Sequence, residues 1–224
     1  MREIVLDTET TGLDPAEGHR IIAVACVELF NYLPTGRVLH RYVNPEREIS
    51  AEAQEVHGLT AEFLAKHPPF AAVVDELLGF IGSDRLIIHN AEFDLKFLNA
   101  ELKRLNRAAL ACDFEDTLLL AKRRFPGAQS SLDALCRRFS IDLSQRTKHS
   151  AKLDCELLAA VYLELIGGRQ PGLDLAAAVA GARTAAAIER PARPPRPHAP
   201  SADELAAHAA LLAKLKQPLW LAAG

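Results

Sequence analysis

Asp7 and Glu9 close a short apolar run, Ile4-Val5-Leu6, near the start of the chain. In an extended strand, residues i and i+2 point to the same face. The spacing therefore brings two carboxylates together at a strand end, where open α/β sheets place their ligands. Carboxylates so close repel unless a cation neutralises them, although an isolated DxE also serves as turn chemistry. Asp94 falls on the apolar stripe of a helix, with Phe97, Leu98, Leu102 and Leu105 at i+3, i+4, i+8 and i+11. Asp154 repeats this, with Leu158, Val161 and Leu165 at i+4, i+7 and i+11. A charge on a core-facing stripe is costly unless it is paired or bound to metal. One such residue is accounted for by a buried salt bridge or a helix N-terminal charge. Two of them, added to the DxE, point to a shared ligand.

His149 precedes Asp154 by five residues, which on a continuous helix puts them about 140° apart. Either His149 sits in the loop before that helix, leaning over the site Asp154 enters, or it is incidental. Oxygen-rich carboxylate sites suit Mg²⁺ or Mn²⁺. Two such ions roughly 3.5–4 Å apart clamp both the attacking and the leaving oxygen of a phosphodiester. A neutral histidine can take a proton from the attacking water. The residues alone thus lead to metal-dependent phosphoryl hydrolysis.

The elements that must position these groups follow from periodicity. After Ile4-Val5-Leu6, strands are predicted over Arg20–Phe30 and Val38–Val43, an opening β-meander. From about Ala51 the pattern is helical. Leu86-Ile87-Ile88 reads as a buried strand running into a helix from Ala91 to about Leu105. Shorter helices are predicted over Leu118–Arg124 and Leu132–Phe139, the second opened by the cap Ser130-Ser131-Leu132-Asp133. A last helix is expected from about Ala151 to Ile166, ending at Gly167-Gly168.

Beyond Gly168 the composition changes. Residues 171–190 are alanine-rich, and 191–200 (PARPPRPHAP) hold five prolines, which predicts an extended linker. Ser201-Ala202-Asp203-Glu204 is a capping box for a helix to about Lys216, with Leu205, Leu212 and Leu215 on one face, Pro218 breaking it and Trp220 following. A short amphipathic helix on a tether reads as a docking peptide, the alternative being a helix folded back on the main domain. The expected division is a catalytic domain over 1–168, a flexible linker over 169–200 and a docking segment over 201–224.

Composition narrows the class. With 26 basic against 29 acidic residues the net charge is −3, so nucleic-acid contact must be local or handed over by a partner. The four cysteines form no CxxC pair, which predicts buried thiols and no zinc site. No run reaches the roughly 18–20 apolar residues of a membrane helix. The first residues enter a strand at once, leaving no signal peptide, so a cytoplasmic protein without membrane contact is expected.

The blocks Ile4–Gly12 (IVLDTETTG), His89–Asp94 (HNAEFD) and His149–Asp154 (HSAKLD), in that order, resemble the three motifs of the DEDDh 3′–5′ exonuclease family. Glu55–Leu59 (EVHGL), Phe125–Gly127 (FPG) and Ser131–Cys136 (SLDALC) are similar to its proofreading branch, which works beside bacterial replicative polymerases. The likeness covers about residues 3–168. It implies a ribonuclease-H-like α/β fold: a mixed five-stranded sheet flanked by helices, followed here by a flexible tail with a short C-terminal helix. It further implies two divalent ions, Mg²⁺ or Mn²⁺, held by Asp7, Glu9 and Asp154, with Asp94 completing the second ion's shell and His149 as general base. Glu52 and His57, with Asp7, Glu9 and Asp154, match positions that contact the terminal nucleotide. The implied activity is that of a 3′–5′ exodeoxyribonuclease acting on single-stranded or frayed 3′ ends, beside a replicative polymerase catalytic subunit. Gln170, Leu173 and Leu175 resemble a sliding-clamp motif. Ala23 departs from the family, which commonly carries glutamate there, and the loop from Leu13 to His19 looks short. The rival readings are an RNA-trimming enzyme of the same family and a catalytically dead scaffold.

Overall fold

A computed structural model describes residues 1–146, 148–167 and 199–215. Two compact units divide the chain, Met1–Leu173 and Asp174–Gly224. The first is built on five strands: β1 (Arg2–Thr10), β2 (Ile21–Phe30), β3 (Leu33–Tyr42), β4 (Arg85–Ile88) and β5 (Phe114–Asp116). Their order is β3-β2-β1-β4-β5, with β1–β2 and β2–β3 antiparallel and β1–β4 and β4–β5 parallel. This is the mixed five-stranded sheet expected from the resemblance.

The alternation of β1 decides what each face holds. Ile4 and Leu6 enter one apolar core, shared with α3 (Phe70–Ile81) and α4 (Ala91–Arg104). Val5 enters a second core on the opposite face, shared with α6 (Leu132–Arg138) and α7 (Ala151–Leu165). By the same alternation Asp7 and Glu9 emerge on the α7 side and Thr8 on the α4 side. Small residues on β2, Ala23 and Ala25, let α7 approach closely, and the Cys155 thiol donates to the Ala25 carbonyl at 3.3 Å. All four cysteines are free thiols; Cys26, Cys136 and Cys155 are buried as expected, whereas Cys112, just before the edge strand β5, is only half-buried.

Three departures from the sequence reading have physical causes. β3 starts at Leu33, five residues before the predicted Val38, because its first half lies on an exposed edge where no apolar alternation is needed. Pro34 within it is tolerated because an edge strand leaves some N–H groups unpaired. The β2–β3 connection is the two-residue turn Asn31-Tyr32, both with positive φ (49° and 69°), as a primed hairpin turn requires. The three-residue β5 (FED) was not foreseen; it is too short and polar to announce itself. Its Asp116 accepts from Asn90 N and Ala91 N at the start of α4, and also from Leu118 N and Leu119 N at the start of α5 (Thr117–Arg124). One carboxylate thus fixes two helix N-termini.

Two further helices are α1 (Ala51–His57) and α2 (Ala61–Leu64). Ser50 caps α1 by accepting from Ala53 N, and Gly58 ends it with φ 71°. In the second unit, α8 (Ala202–Leu212) opens with the predicted capping box: Ser201 Oγ accepts from Glu204 N, and Glu204 Oε2 accepts from Ser201 N. Its leucines Leu205 and Leu211 are exposed. Gln170, Leu173, Leu175, Lys216, Pro218 and Trp220, the alanine-rich stretch and most of the proline-rich segment lie outside the described residues. Among the described residues no helix is long and apolar enough to cross a membrane.

Candidate active site

β1, α4, α7 and the loop before α7 each deliver one part of the site. A cavity of about 300 Å³ is lined by Asp7, Glu9, Glu52, His57, Asp94 and His149. A second, of about 340 Å³, is bounded by Asp7, Asp133, Arg146, His149 and Asp154. Asp7 and His149 belong to both, so all five carboxylate and histidine positions singled out for chemistry converge. Glu52 is exposed on the first turn of α1, at the rim, whereas His57 is buried at that helix's end. The His57 Nδ1 accepts from Leu59 N at 2.9 Å, which puts its proton on Nε2, and this buried nitrogen has no partner.

Each buried carboxylate has its own support. Asp94, 3% exposed, accepts at Oδ1 from Thr8 N (3.0 Å) and Thr8 Oγ1 (2.6 Å), so α4 is pinned to β1 beside Asp7. Asp154, 4% exposed, accepts a guanidinium fork from Arg146: Nε to Oδ1 at 2.7 Å and Nη2 to Oδ2 at 2.8 Å. The buried salt bridge weighed for such a residue is therefore present, and Asp154 still faces the other carboxylates. Glu9 differs: its Oε1 is buried without any hydrogen-bond partner. His149 is tied by its backbone N–H to Val56 O at 3.1 Å, confirming a loop position over the site. Its Nδ1 lies 3.1 Å from Asp154 Oδ2 and 2.9 Å from Arg146 Nη2.

The crowding shows in the acidities. Burial, then the charges of Asp94, Glu9 and Asp154, push the Asp7 carboxyl well above the carboxylate range. Burial raises Glu9 to about 7, opposed by His149. Burial also raises Asp94 against the lowering effect of its Thr8 hydrogen bonds. For Asp154, burial is outweighed by the hydrogen bonds from His149 and Arg146, which hold it below its ordinary value. The hydrogen bond to Asp154 raises His149, against desolvation.

This donor set fits divalent cations. Glu9, His149 and Asp154 offer ligand atoms all within 4.8 Å of one another, and the unpartnered Glu9 oxygen is a donor in want of a ligand. Arg146, Thr8 and Asp133 were not identified from the sequence. Arg146 lies in a loop three residues before His149, where no periodicity marks it. Ala23 pairs with Glu9 across β1–β2 and lines a further cavity of about 80 Å³ with His40 and His57. The 13–19 loop is a single 3₁₀ turn, Pro15–Glu17, capped by Asp14. Gly12 beside it is closely approached by the His19 ring: a Cβ there would lie 2.2 Å from it, so a larger residue would displace that side chain.

A mixed sheet of this order, with carboxylates from β1, α4 and α7 meeting at one end, defines a ribonuclease-H-like nuclease. The exonuclease family's sequence model matches residues 4–162, and the chain belongs to that family. It is a 3′–5′ exonuclease, and such enzymes use divalent metal ions. The DNA polymerase III subunit epsilon of Rickettsia felis is 51% identical over 174 residues, covering 76% of each chain. The epsilon subunit of Escherichia coli is 46% identical over 176 residues (75% of this chain, 72% of that one). That of Pasteurella multocida is 41% identical over 221 residues (92% and 86%), a match that extends beyond the exonuclease domain. Among solved structures, exonuclease X in complex with 5′-overhanging duplex DNA superposes with a TM-score of 0.60 at 24% identity, over 74% of this chain and 91% of that one. The zinc-bound E. coli ExoI–ssDNA complex gives 0.65 at 20%, over 76% and 41%. At these identities the structural likeness shows the fold.

Proposed function

We propose that the chain is the proofreading 3′–5′ exonuclease subunit of a bacterial replicative DNA polymerase, removing mismatched 3′-terminal nucleotides. The observation that carries this is the convergence of Asp7, Glu9, Asp94, Asp154 and His149 on adjoining cavities. The epsilon-subunit relatives support the polymerase context and DNA as substrate.

Asp7, Glu9 and Asp154 would hold two divalent ions, Mg²⁺ or Mn²⁺, and Asp94, fixed by Thr8, would complete the second ion's shell. Bound divalent cations neutralise the carboxylates and polarise the phosphodiester. His149 is the general base. With Nδ1 turned to Asp154, Nε2 is the ring nitrogen left to take a proton from the attacking water. Glu52 and His57 contact the terminal nucleotide, the unpartnered His57 Nε2–H serving as donor. Gln170, Leu173 and Leu175 engage a sliding clamp, and the segment 201–224 docks on the polymerase. The protein works in the cytoplasm.

The site admits an unpaired terminus, and extracting one from a duplex costs unstacking. A mismatch has already lost part of that stability, so a sequence-blind nuclease can edit errors. Initial rates on 3′-labelled duplexes with a paired or a mismatched end test this, with the mismatched end hydrolysed faster. Equal rates, or preference for RNA ends, would move the chain to general trimming.

A further inference from the structure

We propose that Arg146 is a positioning residue that covers the ligand edge of Asp154 and yields it, remaining on Asp133, when a divalent cation binds. The inference rests on the metal-dependent reading above.

The Arg146 side chain is 8% exposed, so it is a built part of the site. Its fork engages both Asp154 oxygens at 2.7 and 2.8 Å. A side-on guanidinium occupies two of the carboxylate's four lone-pair sites, the inner pair on which a bidentate metal would also sit. Arginine cannot lose its proton to make way, so its charge must either repel the incoming cation or withdraw. Withdrawal has a destination. The remaining nitrogen, Nη1, already donates to Asp133 in the first turn of α6, a carboxylate 39% exposed and outside the set assigned to the metals. The cavity of about 340 Å³ bounded by Arg146, Asp133 and Asp154 leaves room for the movement. His149 is coupled to the same event. Its Nδ1 accepts from Arg146 Nη2 in one tautomer and donates to Asp154 Oδ2 in the other. Departure of the guanidinium leaves only the second contact, the one that frees Nε2 as the base.

Two variants should shift metal affinity in opposite directions, which a merely structural arginine would not produce. Mn²⁺ binding is measured by calorimetry on the full chain without DNA, for wild type, Arg146→Gln, Asp133→Asn and Asp154→Asn. Arg146→Gln removes the competitor and should bind Mn²⁺ about tenfold tighter. Asp133→Asn removes the alternative anion, leaves Arg146 to Asp154 alone, and should bind several-fold more weakly. Arg146→Lys, which keeps the charge without the fork, should fall between wild type and Arg146→Gln. Asp133 is partly exposed, so its variant remains informative even if Arg146→Gln folds poorly. Unchanged or weakened binding by folded Arg146→Gln, or tighter binding by Asp133→Asn, overturns the inference alone. Wild type without Mn²⁺ binding, or Asp154→Asn binding as wild type does, overturns the metal reading and this inference with it.

Discussion

Asp7, Glu9, Asp94 and Asp154 crowd around the His149 imidazole and the Arg146 guanidinium, and that imbalance is held in displaced acidities. Asp7→Ala and Asp154→Ala should each abolish hydrolysis of a labelled strand with circular dichroism unchanged; a tenth of wild-type activity surviving would remove that residue from the metal site. Asp7→Ala should also melt higher than wild type in EDTA, since it relieves like-charge repulsion. His149→Gln should lower turnover by about 10²–10⁴-fold and remove the acid-side loss of activity. The pH dependence of stability has a definite sign. Glu9 titrates near 7 in the folded chain against 4.5 ordinarily, so its contribution is full below about pH 4.5 and lost as pH rises through 7. Asp7, Asp94 and His149 are raised and act in the same sense, while His40, His57 and His89, lowered by burial, act against it up to about pH 6.5 and leave the fall to the carboxyls. Asp154 is lowered, so its opposing loss falls below pH 4. Metal-free protein should therefore melt lower at pH 8 than at pH 5, with Glu9 accounting for on the order of 3 kcal/mol. Glu9→Gln should flatten the profile, and a wild-type melting temperature that rises over this interval would contradict the shifts.

At the scale of elements, the site depends on α4 and α7 being held in register with β1. For α7 the close packing over Ala23 and Ala25 does this, and for α4 it is done by Asp94 on Thr8 and by a second buried pair. Arg20, at the entry to β2, donates to Glu101 of α4 at 2.6 and 2.8 Å, and Glu101 is 2% exposed. Arg20→Met leaves that carboxylate buried with only the Ile21 N–H, at 3.4 Å, to oppose its charge, a loss of about 3–5 kcal/mol. Adding Glu101→Leu should restore most of it, as read by urea denaturation; a double mutant no better than the single would show that the pair is not the cause. The helices carrying Asp94 and Asp154 were legible because their apolar stripes are long. The edge strands were legible only in part: β3 was found from Val38 but not along its exposed first half, and the three-residue β5 not at all, because neither stretch carries the alternation that burial imposes.

For the whole molecule, every catalytic group and both apolar cores precede residue 168. A chain ending at Gly168 should remain folded and active on short single strands while losing co-elution with the polymerase in gel filtration. Gln170→Ala with Leu173→Ala and Leu175→Ala should retain the polymerase and weaken the clamp, because tethered weak sites act separately. Co-elution of the shortened chain would move the docking site onto the catalytic domain.

From sequence alone, residue type and spacing determined the chemistry: a DxE at a strand end, two aspartates on apolar stripes and a histidine ahead of the second. Period-2 and helical patterns also determined which segments carry these groups, since burial writes its period into the chain. Tertiary structure decided what no local pattern encodes. Asp94 is held by Thr8, 86 residues away, and Asp154 by a loop arginine. Thr8 sits within the alternation of β1 and Arg146 in a loop, but neither pattern names its partner, because a hydrogen bond between two segments leaves no period in either of them.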